Sequence, residues 1–458
     1  MGGRLTNDVP DRTIACHPLD VRGLTHSLGN TMKIFGTHDE QTIIQFQHVR
    51  ENAVDAALMA DGHVGYVMPI GGVAAYKDKV SVVGVGVDIA CGNAAIRTDL
   101  TLEGLTGIGV EEAKANPYRV SSNPILNELG NVIQDTVSFG IGRKNNANDA
   151  PVNDPLFMEP AWYIIPNIGG FRDELKDKAR RQLGTVGSGN HYVDVFSDEQ
   201  GRIWVGVHFG SRGLGFAIAQ NFLAISQGGT WGDRAREVEV LLDIKQGAGY
   251  DYWHLMELAG MYAYAGREWV ARKVVELLGG KEMDLVHNHH NFAFKETHVA
   301  PEGGLAGYVV VRKGATPAFP GQRGFVGGSM GDDSVILRGT LEEDSRDYEP
   351  IMKLQQEALY STVHGAGRVM SRTEAAGKRK RKTGQVIKPG RVSPEMMKDW
   401  LAKKGVILRG GGLDEAPQVY RRLPDVLGAQ GGTVEVLHTL LPLIVVMAGA
   451  NEFDPYKD

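Results

Sequence analysis

The sequence is poor in cysteine and has no long hydrophobic run. Its two cysteines, Cys16 and Cys91, are too few for a disulfide framework, which indicates a reducing compartment. The longest apolar stretch, Leu440 to Ala450, is too short to span a bilayer, and the N-terminus lacks the charged-then-apolar pattern of a signal peptide. These absences exclude a secreted disulfide scaffold and predict a soluble, cytoplasmic protein with no membrane partner.

An excess of basic charge is also missing. The formal net charge is -6, so no global positive field attracts nucleic acid, and any polyanion must bind a local patch. The remaining composition is ordinary for a globular protein, with 42% hydrophobic and 23% charged residues. Length alone favours about three domains. Because the sequence has no evident linker or repeat, we predict one large domain over residues 1–458.

The most informative stretch runs from Val87 to Gly92. It follows an apolar, β-branched run, Val82 to Val87, that predicts a buried strand. Asp88 and Cys91 then lie where this strand opens into a loop, and a carboxylate beside a thiol is typical of metal ligands. The alternative is that Cys91 is only a small buried hydrophobic residue.

Several histidines have a similar context, in a glycine- or asparagine-rich loop after a predicted strand. The predicted strands are Ala53 to Met59, Tyr192 to Phe196, Ile203 to Val207, Asp284 to Val286 and Tyr308 to Val311. The histidines are His63, His191, His208, His290 and, less clearly, His364. Each one alone is more often structural, but rigid strand ends commonly carry functional sites. Together with Asp88 and Cys91 they predict a shared site.

Helices are predicted between these strands. A capping-box pattern from Thr37 to Glu40 predicts a helix to about Arg50, and Ser393, Pro394 and Gly405 bracket a short amphipathic helix. Two longer helices are predicted at Leu214 to Ser226 and Tyr252 to Leu278.

One aspartate, one cysteine and several histidines are competent to bind a transition metal. A thiolate can bridge two ions, so a two-metal centre is one interpretation. Ligand softness alone favours zinc. The spacings match no zinc finger or ribbon, which favours a catalytic over a structural site.

His364 precedes Gly365, Ala366 and Gly367, which permit close approach of a large group, and Arg368 and Arg372 follow. A histidine beside anion-binding backbone and guanidinium groups suits attack on a phosphate. Other candidate cations are Arg212 and Lys313, each in a glycine-bounded loop, with a plain surface charge as the alternative. The basic run Lys378 to Lys382 is either a nucleic-acid contact or a solvated loop.

Taken in order, these motifs resemble the RtcB family of RNA ligases. The resemblance extends from about Ala53 to Gly449. The matching segments are Asp61 to Gly65, Gly86 to Gly92, Gly184 to His191, His208 to Gly215, His289 to Asn291, Arg312 to Pro317, Gly328 to Gly331, His364 to Arg372 and Asp414 to Pro417. The resemblance implies an α/β (α+β) fold, with mixed β-sheets flanked by helices and the active site at strand ends. It implies ligation of RNA 3′-phosphate or 2′,3′-cyclic phosphate ends to 5′-hydroxyl ends, in tRNA splicing or RNA repair.

The resemblance also implies roles for individual residues. His364 is the nucleophile that takes GMP from GTP, and manganese is the metal. One ion is implied on Asp88, Cys91 and His191, and a second on Cys91, His208 and His290. The residues implied to contact the nucleotide or the RNA phosphate are Asn190, Asp194, Ser334, Gly365, Ala366, Gly367, Arg368, Arg212 and Lys313. Whether the protein requires an accessory activator protein as a partner stays open.

The sequence departs from the usual family pattern at four places. Ala448-Gly449 stands where a terminal lysine-glycine is usual, and a tail at 450–458 follows. Asp194 replaces a glutamate, Tyr66 replaces a lysine, and Thr340 to Tyr360 resembles an insertion that is partly helical. These departures concern guanine recognition and RNA approach, whereas the metal ligands and His364 are intact. Two alternatives follow, a metal-dependent phosphoesterase and an RNA-end-binding paralogue that does not ligate.

Overall fold

The computed structural model describes residues 33–345, 348–379, 386–450 and 452. The strands are β1 (Lys33–Ile34), β2 (Asp55–His63), β3 (Ile70–Tyr76), β4 (Lys79–Ser81), β5 (Gly92–Thr101), β6 (Tyr192–Asp198), β7 (Arg202–Phe209), β8 (Leu241–Asp243), β9 (Glu282–His289), β10 (Asn291–Val299), β11 (Leu305–Lys313), β12 (Ala315–Pro317), β13 (Arg323–Val326), β14 (Ser334–Gly339), β15 (Ser361–Val363), β16 (Gly377–Arg379), β17 (Val386–Pro389), β18 (Ile407–Gly411) and β19 (Val434–Gly449).

The helices are α1 (Glu40–Arg50), α2 (Val82–Val85), α3 (Leu102–Thr106), α4 (Val110–Ala115), α5 (Pro117–Ser121), α6 (Pro124–Thr136), α7 (Phe171–Gln182), α8 (Arg212–Ser226), α9 (Gly247–Leu277), α10 (Tyr348–Glu357), α11 (Arg372–Ala376), α12 (Pro394–Lys404) and α13 (Leu423–Gly428). Short 3-10 turns occur at Pro155–Met158, Pro160–Ile164, Ile168–Gly170, Glu342–Asp344, Leu413–Glu415 and Pro417–Val419. The α/β class is therefore confirmed.

Two sheets dominate the described chain. The larger has the order β13-β14-β19-β6-β7-β5-β9, with β18 parallel to β19, and the smaller has the order β1-β2-β3-β11-β10. Strand β5 lies between β7 and β9, and Gly92 is opposite both Phe209 and His289. This register brings the ends of three strands to one edge of the larger sheet.

The chain passes from the larger sheet to the smaller one at a single residue. β9 ends at His289, β10 starts at Asn291, and His290 lies between them. A short antiparallel pair, β12 with β15, is close to this crossing, because Ala315 N–H donates to His290 C=O. Because Ala315 is opposite Val363, the residue after β15, His364, is directed to the same region.

The main core lies between the sheets and the long helix α9. Side chains of α8 and α9 pack with α2 and with residues of β3 and β11 in one buried cluster. On the larger sheet, α9 packs with α6 over β5, β6 and β7. Gly266 permits this close packing, since a Cβ there would lie 3.3 Å from the Phe209 ring. The site is therefore built on strand ends that large apolar clusters immobilise.

Several predicted elements are confirmed. The helices predicted to end near Arg50 and to span Pro394 to Lys404 are α1 and α12, although the N-cap of α1 is Asp39 rather than Thr37. The segment 340–360 is partly helical, because it contains α10. That this segment is an insertion, and that residues 1–458 form one domain, remain predictions.

The strand predicted from Val82 to Val87 is wrong. Residues Val82–Val85 form a single buried helical turn, capped by the Ser81 hydroxyl, which accepts from Gly84 N–H, and ended by Gly86 at φ 86°. Burial and the cap outweigh the β-propensity of the valines. This propensity reflects how well a side chain packs on the surface of a sheet, and it is not an intrinsic preference of the backbone.

Loop positions were also predicted wrongly. Asp61 and His63 belong to β2, His208 lies inside β7, His191 precedes β6 instead of following a strand, and Lys313 ends β11. The strands extend further than the apolar pattern because polar side chains at their ends are satisfied by partners in the site.

Candidate active site

The loop from Asp88 to Gly92 is held in an uncommon backbone conformation. Ala90 has φ 60°, in the left-handed region that a non-glycine residue rarely occupies. Its N–H donates to Asn291 C=O (2.7 Å), and Cys91 C=O accepts from His290 N–H (2.8 Å). These bonds fix the Cys91 side chain beside the crossing between the two sheets.

The predicted metal ligands converge at this point. Sγ of Cys91 lies 3.5 Å from Nε2 of His208 and 3.8 Å from Nε2 of His191. Oδ2 of Asp88 lies 3.2 Å from the same His191 nitrogen. Two sets of three ligand atoms result. The first set belongs to Asp88, Cys91 and His191, and the second to Cys91, His208 and His290. Within each set all ligand atoms lie within 4.8 Å of one another. Cys91 is common to both sets.

The outer nitrogens of two histidines have partners that orient the rings. Nδ1 of His191 is 2.9 Å from Val186 C=O, and Nδ1 of His208 is 2.6 Å from Oδ1 of Asn93. Each contact leaves Nε2 directed to the cluster, which is the usual arrangement for metal-bound imidazole. Asn93, fully buried, is a functional candidate that sequence reasoning missed; its place two residues after Cys91 in the same motif was the available signal.

Burial sets the protonation of these groups. It raises the pKa of the Cys91 thiol well above its ordinary value and lowers the pKa of His208 and His290 well below theirs. For Asp88 burial raises the pKa, but the hydrogen bond and charge of His191 outweigh it, so the net pKa is lowered. Neutral imidazoles and a carboxylate offer lone pairs directly, whereas a metal must displace the thiol proton. This set of donors fits divalent transition ions.

His364 is next to this cluster and is oriented by Asp61. Oδ2 of Asp61 lies 2.6 Å from Nδ1 of His364, and it also accepts from the backbone N–H groups of His364 (3.1 Å) and Gly365 (3.3 Å). The His364 ring centroid is 4.9 Å from that of His290. Asp61 is fully buried near the end of β2, and the short distance places its carboxylate against Nδ1 although the angle is not that of a hydrogen bond, so Nε2 is the ring nitrogen left for chemistry. Asp61 belongs to a motif that the sequence singled out, but its partner could not be inferred.

A cavity opens in front of His364. Among the residues predicted to contact the nucleotide, those that line it are Asn190, Asp194, Ser334, Gly365, Ala366, Gly367 and Arg368. The other lining residues include His63, Tyr192, His208, Met330, Glu415, Tyr420, Val445 and Met447. At Gly367, φ is 74° and a Cβ would lie 2.4 Å from Asp61 C=O, so only glycine fits there. A large group can therefore approach His364 closely.

Comparison with known proteins identifies this arrangement. A family model described as tRNA-splicing ligase RtcB matches residues 43–448. The chain belongs to the RtcB family. The resemblance drawn from the motifs is thereby confirmed.

Curated RtcB relatives match along most of their length. The RNA-splicing ligase RtcB of Escherichia coli is 30% identical over 422 residues, covering 85% of this chain and 89% of the relative. The tRNA-splicing ligase RtcB of Archaeoglobus fulgidus is 32% identical over 467 residues, covering 85% and 87%. That of Thermococcus kodakarensis is 30% identical over 441 residues, covering 81% and 82%.

Besides Nδ1 of His364, which is at ion-pair distance from Asp61, two buried side-chain atoms of cavity-lining residues in this RtcB-family chain have no hydrogen-bond partner among the described residues. They are Oδ1 of the buried Asp194 and the hydroxyl oxygen of Tyr192, an atom that is buried although the residue is only partly so. Burial raises the pKa of Asp194 well above its ordinary value, which favours a neutral carboxyl that can both donate and accept. Unpaired buried polar atoms at a cavity wall indicate a polar ligand there. Tyr192 was not predicted from the sequence.

The predicted cations differ in their surroundings. Arg368 donates to Glu415, to the Tyr420 hydroxyl and to Asp414 C=O, and Arg372 pairs with Asp414 and Glu415. Their charges are therefore engaged by acids that sequence reasoning did not connect with them.

Arg212 and Lys313 do not line the cavity. Arg212 starts α8 with φ 55°, and Nη1 lies 3.3 Å from Nδ1 of His191, so it is beside the metal ligands. Lys313 is not in a loop; it is buried in β11, and Nζ donates to Val83 C=O (2.9 Å). Burial lowers the pKa of Lys313 to about 8.

Other predicted features lie at the limits of the description. Residues 380–382 of the basic run Lys378 to Lys382 are outside the described residues, as are 451 and 453–458 of the predicted tail. His63, one of the histidines expected to share the site, lines the cavity but belongs to neither ligand set, and burial lowers its pKa to about 4. Within the described ranges, no helix has the length and apolar character that a membrane crossing needs.

Proposed function

We propose that this chain is an RNA ligase that joins 3′-phosphate or 2′,3′-cyclic phosphate ends of RNA to 5′-hydroxyl ends through a histidine-GMP intermediate. One arrangement carries the proposal. His364 lies against the buried carboxylate of Asp61 and next to the two ligand sets that share Cys91. It also lines the cavity formed by the residues predicted to contact the nucleotide. The names of the curated relatives support RNA as the substrate.

His364 is the nucleophile in this proposal. The lone pair of Nε2 attacks the α-phosphorus of GTP, the bond to the β-phosphate oxygen breaks, and pyrophosphate leaves. Asp61 holds the proton on Nδ1 and stabilises the positive charge that the ring acquires, as the third group of a catalytic triad does. The burial of Asp61 and its three contacts with residues 364 and 365 keep the ring in one orientation.

The second step frees His364, and the third step joins the two RNA ends. An oxygen of the RNA 3′-phosphate attacks the phosphorus of GMP, and the Nε2–phosphorus bond breaks. The 5′-hydroxyl oxygen of the other RNA end then attacks the activated 3′-phosphate, loses its proton, and GMP leaves. A 2′,3′-cyclic phosphate must first be opened by water to give the 3′-phosphate.

The metal centre is proposed to hold two divalent ions, one on Asp88, Cys91 and His191 and one on Cys91, His208 and His290. The resemblance favours manganese, while the thiolate and imidazole donors also suit zinc. Such ions, when bound, offset the charge of the phosphate groups during transfer. Arg212, beside His191, is proposed to hold the RNA terminal phosphate.

The cavity is proposed to bind the guanosine. Asn190 and the backbone of residues 365–367 are proposed to contact the α-phosphate, and Asp194 and Ser334 the base; all of them line the same cavity as His364. The unpaired Oδ1 of Asp194 supports a polar contact with the base. Lys313, which donates to Val83 C=O, supports the helical turn α2 that precedes Asp88 rather than the cavity wall.

The proposal is tested by incubating the protein with α-labelled GTP, or with α-labelled ATP, in the presence of manganese. We expect acid-labile label on His364, located by peptide mapping, and ligation of 3′-phosphate to 5′-hydroxyl RNA. His254→Gln is a suitable control, because this histidine lies on α9 and bonds only Tyr250 C=O.

Three outcomes would overturn parts of the proposal. Phosphate release from RNA without protein labelling would favour the phosphoesterase alternative. Binding of 3′-phosphate RNA without product in either nucleotide would favour a non-ligating paralogue. Label from ATP alone would exclude GTP as the cosubstrate.

A further inference from the structure

One buried arginine of the described chain lies directly behind the metal ligands and has no part in the proposed chemistry. Arg267, on α9, is fully buried. Nη1 donates to Ala90 C=O (2.8 Å) and to Phe209 C=O (2.6 Å), Nε donates to His287 (2.8 Å), and Nη2 lies 2.9 Å from Nδ1 of His289. Ala90 precedes Cys91, Phe209 follows His208, and His289 precedes His290.

A single guanidinium thus reaches three neighbouring strand ends, and each of them carries a ligand of the second proposed ion. The carbonyls of Ala90 and Phe209 lie at the edge where β5 and β7 stop pairing. Because a buried carbonyl without a hydrogen-bond partner is unfavourable, the guanidinium stabilises both strand ends at once.

The backbone around Cys91 shows why such support is needed. Ala90 occupies the left-handed region, which is unfavourable for a residue with a side chain, and Arg267 donates to the carbonyl of that residue. Gly92, the next residue after Cys91, lies against the guanidinium, since a Cβ there would be 3.1 Å from Cζ of Arg267. The glycine of the cysteine motif is required by β9, where a Cβ would lie 2.2 Å from Asn288 C=O, and it also leaves room for the Arg267 guanidinium.

The charge of Arg267 is not neutralised by a neighbouring acid. Its four hydrogen bonds go to carbonyls and imidazoles, and none of the ion pairs in the described residues includes it. Glu268 faces it only through His287, whose Nδ1 is 3.5 Å from Oε1 of that carboxylate. A purely structural arginine at full burial is expected to have a carboxylate partner, because an unpaired buried charge is costly. The guanidinium instead lies over the Tyr264 ring, with Cζ 5.4 Å from the ring centroid, so an aromatic face and neutral polar atoms surround this charge in the described residues.

We propose that Arg267 is a positioning residue of the metal centre: by joining the Cys91 loop to the end of β7, it fixes the separation of the Cys91 and His208 ligand atoms. This inference rests on the proposed function only in requiring that the two ligand sets bind metal. In the structure these atoms are 3.5 Å apart, close enough for both to reach one ion. Loss of the guanidinium frees the Cys91 loop from β7 without removing any ligand.

The test compares matched substitutions of two buried arginines in the full chain. Arg267→Lys, Arg267→Gln and Arg267→Met are titrated with Co²⁺, followed by thiolate-to-cobalt absorption, and with Mn²⁺, followed by electron paramagnetic resonance. Arg312→Lys is the control, since Arg312 is also fully buried but bonds Glu296, Ser361 and Leu359 C=O instead of ligand-bearing strand ends. Circular dichroism and thermal melting monitor the fold.

We expect all three Arg267 variants to bind the ions roughly 10- to 100-fold more weakly than the wild type, as is usual when support of a metal ligand is lost. Lysine is expected not to rescue, because one ammonium group cannot span four acceptors in fixed directions. Arg312→Lys is expected to retain wild-type affinity. If Arg267→Met does not fold, the lysine and glutamine variants carry the test.

Three results would overturn the inference, and they differ from failure of the proposed function. Wild-type affinity in folded Arg267→Lys would show that charge alone is needed, and wild-type affinity in Arg267→Gln would show that the contact is dispensable. Equal weakening in Arg312→Lys would make the effect a general loss of stability. A wild-type protein that binds neither ion would instead reject the metal centre itself, and the positioning role with it.

Discussion

Arg267 and Arg312 are both fully buried, yet they are stabilised in opposite ways. Arg312 forms two hydrogen bonds with the Glu296 carboxylate (2.6 and 3.0 Å), and His298 contacts the same carboxylate at 2.8 Å. In the described part of the chain, the hydrogen bonds of Arg267 go to carbonyls and imidazoles, and its guanidinium lies over the Tyr264 ring. Arg312 is therefore neutralised where it lies, whereas the charge of Arg267 faces the proposed metal ligands.

The difference separates two halves of the site. Arg312 joins β10 and β11 to the start of β15, through Leu359 C=O and the Ser361 hydroxyl, and β15 leads to His364. Arg267 joins the strand ends that carry Cys91, His208 and His290. The nucleophile half thus depends on a local ion pair, and the metal half depends on hydrogen bonds to backbone. We expect substitutions in one half to leave the other measurable.

The largest effect is expected for His364→Ala. It should abolish covalent attachment of GMP, because the substitution removes the nucleophilic Nε2. It should leave the metal content of the purified protein unchanged. Protein labelling and elemental analysis of the same sample give both answers. Loss of metal in this variant would show that the two halves of the site are not independent.

Glu296→Gln is expected to cost about 3–5 kcal/mol of unfolding free energy, since it leaves the buried Arg312 without a counter-charge. Urea denaturation measures this cost, and the affinity for Co²⁺ should not change. Asp284→Asn is the matched control, because the Asp284–Arg323 pair lies at the surface, where such pairs contribute up to about 1 kcal/mol. Similar losses in both variants would contradict the importance of burial.

The same carboxylate predicts a pH dependence of stability. Burial raises the pKa of Glu296, but Arg312 and His298 outweigh it, so the pKa in the folded state lies below the ordinary value of 4.5. A lowered pKa stabilises the fold fully above the ordinary value, and this contribution is lost as the pH falls through the folded-state value. The wild type should therefore lose more stability than Glu296→Gln below pH 4.5. Parallel pH profiles would exclude this contribution.

Much of the site could be predicted because its residues combine metal-ligand chemistry with turn-forming neighbours. The meeting of Cys91, His191, His208, His290 and His364 was inferred from loop context and from the family resemblance, and the structure brings these side chains together. Their exact positions on strands were not predictable, because apolar periodicity stops where a strand begins to bind polar partners. His208 lies inside β7 for this reason.

The residues that support the ligands were missed, because their role depends on long-range contacts. Nothing in the local sequence distinguishes Arg267 from an exposed arginine of a helix; only its neighbour Gly266 indicates close packing of α9. The pairing of Arg368 and Arg372 with Glu415 likewise joins segments that are distant in sequence. Asn93 follows Cys91 closely, but its partner His208 is 115 residues away.

The smallest effect is expected for a substitution of Asn93, within the metal half of the site. Asn93 supports His208 alone, through the 2.6 Å contact with Nδ1, and its amide donates to Phe325 C=O. Asn93→Leu should weaken the ion on Cys91, His208 and His290 by about tenfold, because the ring loses the acceptor that orients it. The ion on Asp88, Cys91 and His191 should keep its affinity, so a titration with Co²⁺ should resolve two unequal steps.

Asn93→Asp is the matched control for this prediction, because it keeps an acceptor for Nδ1 of His208 and should preserve most of the affinity. Equal weakening of both ions in Asn93→Leu would instead mean that the substitution disturbs Cys91, which the two ligand sets share. In that outcome the orientation of His208 would depend on the Arg267 contacts with the strand ends rather than on the asparagine. The contributions of Asn93 and Arg267 can therefore be ranked by whether the affinity of one ion or of both ions falls.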